Sequence, residues 1–526
     1  MSKTETAPLV DSVTTSVINK KRRALLAQGA GALVGATLFD ASVAAIHGVV
    51  GTTAVASATS QRATGAAAFS KSLKHDARGL LPLEAMQSFE AATASGRIND
   101  WERLPVQNEI RLVNPLAAYA WDNDPMAADV IKLPPFPALD SERLAEEALE
   151  LYWMALLRDV QLWDYERNSL VREAVAELSK TKLNAGVTPA TLFRLDMPGV
   201  NEGYFISQML WMPIPYGAQS LWQGYRTAFK GSDFMTKWDE YLKVANGEWP
   251  PGILNHNGDR YHLRSGRDIG EYVHWDFSTQ AFINAAAILL GNPHQPRENW
   301  PTTNPYKTSR TMDGFVSMGS AHVHNAMGPV SDCAFRCAWN EKWIRHRALR
   351  PEEYGALVDR ATRGENTGIH PLIVRSEAVK RVREKFGSAL LPQAYPEGAP
   401  PHPAYPSGHA TVAGACVTVL KAMFDNQRKL RFPLQPTGDG KDWVSFTTLF
   451  PAPTVGAELN KLASGIAMGR NFAGVHWRSD AWQGLLLGES VAKAWLKREK
   501  TQSIEAQQGW FKQFEFTGFA GDAVVV

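Results

Sequence analysis

PHPAYPSGHATVAGACVTVLKAMF, residues Pro401 to Phe424, holds a stiff loop and a buried helix in one stretch. From Ala410 onward the residues are small or aliphatic, with Lys421 the only charged side chain. A run that is apolar all round belongs inside a large helical assembly rather than on its surface. Ser407 and Gly408 stand where such a helix starts, and Pro401, Pro403 and Pro406 restrict the loop before it. Free amides at a helix N-terminus favour an anion, and Gly408 lets backbone come close to one.

Working outward, helical patterns cover Ala85–Ala92, Ser141–Leu157, Val171–Leu178, Ser220–Ala228 and Asp268–Leu290. Further patterns cover His322–Asn340, Pro351–Arg360, Ser376–Phe386, Ala410–Phe424, Glu458–Met468 and Ser479–Arg498. Ser141 and Gly291-Asn292-Pro293 supply start and stop chemistry. Alternation suited to a sheet is scarce, with Trp443–Leu449 the one short strand expected. The expected fold is mainly α, a large helical bundle with long loops. Residues 1–60 read as a leader, 61–260 as an N-terminal helical region, 261–500 as the bundle carrying the site, and 501–526 as a tail.

The 526 residues are 44% hydrophobic and 21% charged, which excludes wholesale disorder. Lys+Arg of 55 against Asp+Glu of 53 leaves +2, which gives no reason to expect nucleic-acid binding. Three cysteines exclude a disulfide framework, and Cys333 and Cys337 read as buried thiols on one helix face. In the leader, Lys20 to Arg23 form a basic knot followed by the charge-free run Ala24–Phe39. The run is shorter than the roughly 20 residues that span a bilayer. It resembles a twin-arginine export signal, with small-residue cleavage points near Ala56 or Ala58. The chain is thus expected outside the cytoplasm if that signal works and inside it otherwise, with no membrane span in the mature protein.

Polar chemistry gathers in Asp332–Pro351 (DCAFRCAWNEKWIRHRALRP), Pro401–Ala410 (PHPAYPSGHA) and Gly469–Asp480 (GRNFAGVHWRSD). Lys342, Arg350 and Arg470 bring positive charge, and arginine a planar fork that matches oxyanion oxygens. Ser407 brings a hydroxyl, while His409 and His476 suit proton transfer or a bond to a central atom. Together they describe a pocket for a tetrahedral or five-coordinate oxyanion. No HExxH-type zinc spacing occurs.

These three blocks resemble the signature of the vanadium-dependent haloperoxidases, in the superfamily shared with type-2 phosphatidic acid phosphatases and bacterial class A acid phosphatases. The matching residues are Lys342 with Arg350-Pro351, Ser407-Gly408-His409, and Arg470 with His476. The eight-residue step from Lys342 to Arg350, and His402 five before Ser407, follow the bromoperoxidase branch. RDIGEYVHWD, from Arg267, looks like a helix of the same branch.

The resemblance implies a vanadate cofactor with neither haem nor flavin. His476 would be the vanadium ligand, and Lys342, Arg350, Ser407, the Gly408 amide and Arg470 would hold its oxygens. His409 would move protons, Lys342 would polarise peroxide, and His402 would tune halide use, either by hydrogen bonding or as a protonated group holding halide. Asp332 is implied as partner to a pocket arginine, its alternatives being an N-cap or a surface acid. Asp480 either orients His476 or caps the following helix. The implied partners are hydrogen peroxide, halide (bromide favoured, chloride possible) and a small organic acceptor, in a homo-oligomer. Two other functions fit the same residues: phosphate-ester hydrolysis with His476 as nucleophile, and cofactor-free rearrangement in secondary metabolism. His322, His324 and His346 read as structural, Arg478 as a surface or interface ion-pair residue, and Trp339 and Trp343 as core anchors.

Overall fold

Helix start signals in the sequence are used as written. Ser141 Oγ accepts from Leu144 N at 3.2 Å and opens α1, Glu142–Leu157. The computed structural model describes residues 68–106, 108–291, 296–430, 434–445 and 452–526. The expected leader, and residues 446–449 of the expected strand, lie outside the described residues. The other helices that frame the site are α2 (Gly266–Trp275), α3 (Gln280–Leu290), α4 (Ser320–Asn340) and α5 (Pro351–Thr362). They continue with α6 (Gly408–Met423), α7 (Val455–Phe472) and α8 (Arg478–Gln502). Sheet among the described residues is confined to three two-stranded antiparallel pairs, so the fold is a mainly α bundle.

At its centre α6 is buried along its length except at His409, as its apolar composition requires. It lies against α8 at backbone distance. A Cβ on Gly488 would fall 2.0 Å from Thr411 O, and one on Gly414 would fall 2.3 Å from Leu485 O. Only glycine permits that approach. The approach brings the loop before α6 beside the loop before α8, and Ser407 N donates to Asp480 O at 3.0 Å. One apolar core runs from Trp121 through α1, α6, α7 and α8 to Val524. A second cluster gathers Phe69, Phe89 and Trp343 in edge-to-face contacts. The last residues form a hairpin, Glu515–Thr517 with Ala523–Val525, and Phe519 packs under the Lys421 ammonium at 4.0 Å.

Two helix expectations need correction. Ser220–Ala228 is not helical: Gln219–Leu221 pairs with Ile214–Tyr216, and Tyr225 bridges to Tyr261. A short run of apolar and aromatic residues cannot by itself distinguish strand from helix, and neighbouring backbone decided it. Asp268–Leu290 is not one helix but two, because Asp276 adopts extended backbone (φ −66°, ψ 142°) at the end of α2. That break places a functional side chain, described below.

Candidate oxyanion site

Each cradle residue sits at an element boundary. α4 runs into a π-helical turn, Glu341–His346, that carries Lys342. Arg350 is the N-cap of α5, fixed because Pro351 occupies the first helical position and Glu353 Oε2 accepts from Arg350 N at 2.6 Å. Ser407 caps α6, its Oγ accepting from Ala410 N at 3.3 Å. Gly408 is then the first residue of a helix whose leading amides have no helical partner. Arg470 lies in the last turn of α7, and His476 just before α8.

The electrostatics are those of a positive site closed off from water. Lys342 and Arg350 are completely buried, and Arg470 is 6% exposed. None of the three forms an ion pair among the described residues; their nearest partners are uncharged. Lys342 Nζ donates to Pro403 O and Ala404 O, both at 2.7 Å. Arg350 donates to His402 O at 2.9 Å, to Val475 O at 2.8 Å and to two imidazoles, His476 Nε2 at 3.0 Å and His402 Nδ1 at 2.9 Å. Arg470 donates to Val273 O at 2.8 Å, while its Nε is buried without a partner. Burial first, and mutual repulsion second, hold Lys342 well below the ordinary lysine range. Burial likewise pulls Arg350 down to about 9.

His476 is set as a ligand. Its Nδ1 lies 2.6 Å from Asp480 Oδ2, which also accepts from Trp477 N at 3.1 Å. Both readings of Asp480 are therefore realised in one carboxylate: it orients the ring and caps α8. Burial lifts Asp480 to about 7, against the pull of Lys342 and Arg350. Burial and the neighbouring cations keep His476 neutral, well below its usual range. With the Nδ1 proton directed at Asp480, the Nε2 lone pair faces Arg350 and the cradle.

His402 is 8% exposed and also held neutral by burial and by Arg350. Its Nδ1 accepts from Arg350 at 2.9 Å, the geometry of the hydrogen-bonding alternative. Asp332 is corrected. It is exposed on α4, paired with Arg336 one turn on, and makes no contact with a pocket arginine, because helical rotation turns it outward. Arg478 makes its ion pair in the interior, to the fully buried Glu150.

His409 alone of the cradle residues is substantially open, with its side chain 30% exposed. Its Nε2 lies 3.1 Å from Oδ1 of the buried Asp276. Asp276 was not singled out from the sequence. Its only signal was its place at the end of RDIGEYVHWD, inside an apolar run that reads as continuous helix. The cavity onto which Gly408, His409, Arg470, His402 and His476 open has a volume of about 510 Å³. His274 and Glu397, 2.5 Å apart on its wall, also went unnoticed.

An oxyanion suits this donor set: three buried cations face one buried carboxylate, and a guanidinium nitrogen is left unpaired. The residues present fit vanadate. A family model described as the VCPO second helical-bundle domain matches residues 324–503. The vanadium-dependent bromoperoxidase of Ascophyllum nodosum is 33% identical over 490 residues, covering 87% of this chain and 86% of the relative. That of Corallina officinalis is 31% identical over 481 residues, covering 78% and 79%. The homohexameric structure of the second vanadate-dependent bromoperoxidase of A. nodosum superposes with a TM-score of 0.82 at 30% identity, over 88% of this chain and 84% of that one. With the cradle, the bundle and these likenesses together, the chain belongs to the vanadium-dependent bromoperoxidase family.

Proposed function

We propose that this chain holds vanadate in the cradle and uses hydrogen peroxide to oxidise bromide, passing the oxidised halogen to a small organic acceptor. The observation that carries the reading is the buried, unbalanced positive charge of Lys342, Arg350 and Arg470 around a neutral His476. His476 Nε2 would bond vanadium, while Lys342, Arg350, Arg470, the Ser407 hydroxyl and the Gly408 amide would hold its oxygens. Bound vanadate supplies a Lewis-acid centre that activates peroxide without changing oxidation state. His409, open to the cavity and steadied by Asp276, takes and returns the proton that peroxide loses. His402 accepts from Nη2 of Arg350 while His476 meets its Nη1, so the two imidazoles hold the two ends of one guanidinium fork. Self-association is part of the proposal, supported by the homohexameric relative.

The test is dialysis against vanadate, metal analysis, and bromination of a phenolic dye with and without peroxide. One vanadium per chain and strictly peroxide-dependent bromination are expected. Hydrolysis of a phosphate ester without any bromination would replace this reading with the phosphatase one. His476→Ala should abolish tight vanadate retention, because the other donors hold oxygens but none bonds the central atom.

A further inference from the structure

Oxidation of one bromide by one hydrogen peroxide moves two electrons from halide to peroxide, gives hypobromous acid and water, and consumes one proton. The cradle cations Lys342, Arg350 and Arg470 attract anions to the reacting end of the cavity and repel hydronium from it. On the wall of the same cavity stand two groups that the cradle leaves unused. His274, in the last turn of α2, and Glu397, in the loop before α6, meet at 2.5 Å through Nε2 and Oε1. The Glu397 side chain is 41% exposed and reaches solvent. The other ring nitrogen of His274, Nδ1, is buried without a hydrogen bond and lies 3.8 Å from Glu271 Oε2, one turn back on α2. Glu271 is itself buried and anchored from behind, by His256 Nε2 at 2.5 Å and by Arg226 at 3.6 Å. The imidazole therefore sits between two carboxylates, one buried and one open. Its plane is fixed by stacking on Tyr395 at 3.8 Å, and the Tyr395 hydroxyl, which donates to Gly270 O, lies 3.5 Å from Arg470.

Burial and Arg470 work against charge on His274, but Glu271 and Glu397 outweigh them and raise it above its ordinary 6.5. Burial likewise opposes charge on Glu397, but His274 and Lys71, which donates to Glu397 O, hold it below the ordinary carboxylate range. Asp276, two residues beyond His274, is engaged with His409.

We propose that the His274–Glu397 pair is a proton store on the cavity wall, separate from His409, that supplies the proton consumed in each bromide oxidation. The proposal rests on the bromide-oxidising reading above and deepens it by naming where the proton comes from. In the loaded state His274 is an imidazolium, with Nε2–H directed at Glu397 and Nδ1–H at Glu271. The Nε2–H bond breaks as an O–H bond forms on Glu397, and Glu397 releases that proton to water in the cavity. Solvent protonates Glu397 again, and the proton returns to Nε2. Glu271 does not exchange; its fixed negative charge keeps the imidazole loaded near neutrality, where hydronium is scarce.

Bromination of a phenolic dye by the full chain loaded with vanadate, in weak buffer and expressed per bound vanadium, tests the store. His274→Phe keeps a ring to stack on Tyr395 but carries no proton, and Glu397→Gln alters a half-exposed position that folding tolerates. Each should lose about tenfold in turnover at about pH 7.5, less than the full worth of a positioned acid–base because water supplies the remainder. At about pH 5, where hydronium is abundant, each should lie within about twofold of the parent. Added imidazole, a small proton carrier that enters the cavity, should restore turnover at pH 7.5 to within about twofold of the parent. No loss in either variant at pH 7.5 overturns the proposal. So does a loss of equal size at both pH values, or one that imidazole does not restore, since a purely structural role for His274 predicts both. The parent separates the two claims. If it brominates the dye and the variants match it at every pH, only the proton store falls. If the vanadate-loaded parent brominates nothing, the functional reading falls and this proposal with it.

Discussion

A neutral imidazole packed among cations has a measurable thermodynamic signature. His402 accepts from Arg350 and is held well below its usual value of 6.5 by burial and by positive neighbours. The unfolded chain regains the ordinary value. Below about pH 6.5 the unfolded state therefore binds a proton that the native state refuses, and stability from this group is lost as pH falls. Above that value the two states match and the contribution is flat. In His402→Asn, whose amide oxygen can still accept from Arg350, this dependence is absent. Urea unfolding of parent and variant between about pH 5 and 8 should show the parent's relative stability rising with pH up to about 6.5, by at most about 1.4 kcal/mol per pH unit, then levelling. A constant difference across the range would show that His402 takes up protons in the native state as it does in the unfolded one, and a parent stability falling as pH rises would show a charged native imidazole. Single residues were unevenly legible. Ser407, Gly408 and His409 could be placed because a cap, a glycine and an apolar helix agree on one boundary. Asp332 could not, because the side of a helix that faces the pocket depends on packing that no local pattern encodes.

At the scale of elements, the break between α2 and α3 does the most for the site. The chain leaves α2 at Asp276 and re-enters helix at Gln280, and this turn aims the Asp276 carboxylate at His409. Asp276 is the only hydrogen-bond partner of the His409 ring among the described residues, and His409 is the exposed member of the cradle. Asp276→Ala should leave vanadate affinity near the parent value, since Asp276 touches none of the buried cations. Turnover per bound vanadium should fall, by about 10- to 100-fold, a part of what a positioned acid–base contributes. Comparable losses in affinity and turnover would instead mean that the α2–α3 turn supports the whole cradle. The break was hidden in the sequence for a physical reason: it contains no glycine or proline, and apolar residues continue on both sides. By contrast α6 and α8 were legible nearly to their ends, because each carries its cap chemistry locally. Their close crossing was not, since Gly414, Gly484 and Gly488 acquire meaning only when paired across space.

The whole molecule carries an electrostatic cost that its ligand should remove. Packing α6 between α7 and α8 brings Lys342, Arg350 and Arg470 into one interior, with Asp480 the carboxylate closest in role to a counterion. Buried like charges oppose folding, and burial of unpaired cations is the more expensive the fewer waters reach them. The apolar core that extends from Trp121 to the Phe516 and Phe519 hairpin must offset that cost in the empty protein. A bound oxyanion supplies the missing charge to the native state alone, so it stabilises by mass action, about 2.7 kcal/mol at a hundred times Kd. Vanadate should therefore raise the melting temperature of the full chain progressively with concentration, and removal by dialysis against a chelator should return it. In His476→Ala the rise should shrink to what weak oxyanion pairing provides, because the bond to the central atom is gone while Lys342, Arg350 and Arg470 remain. Differential scanning calorimetry across a vanadate series reads both quantities. A melting temperature indifferent to vanadate in the parent would mean that the buried cations are already balanced, and the assignment of this cavity as an oxyanion cradle would not survive it.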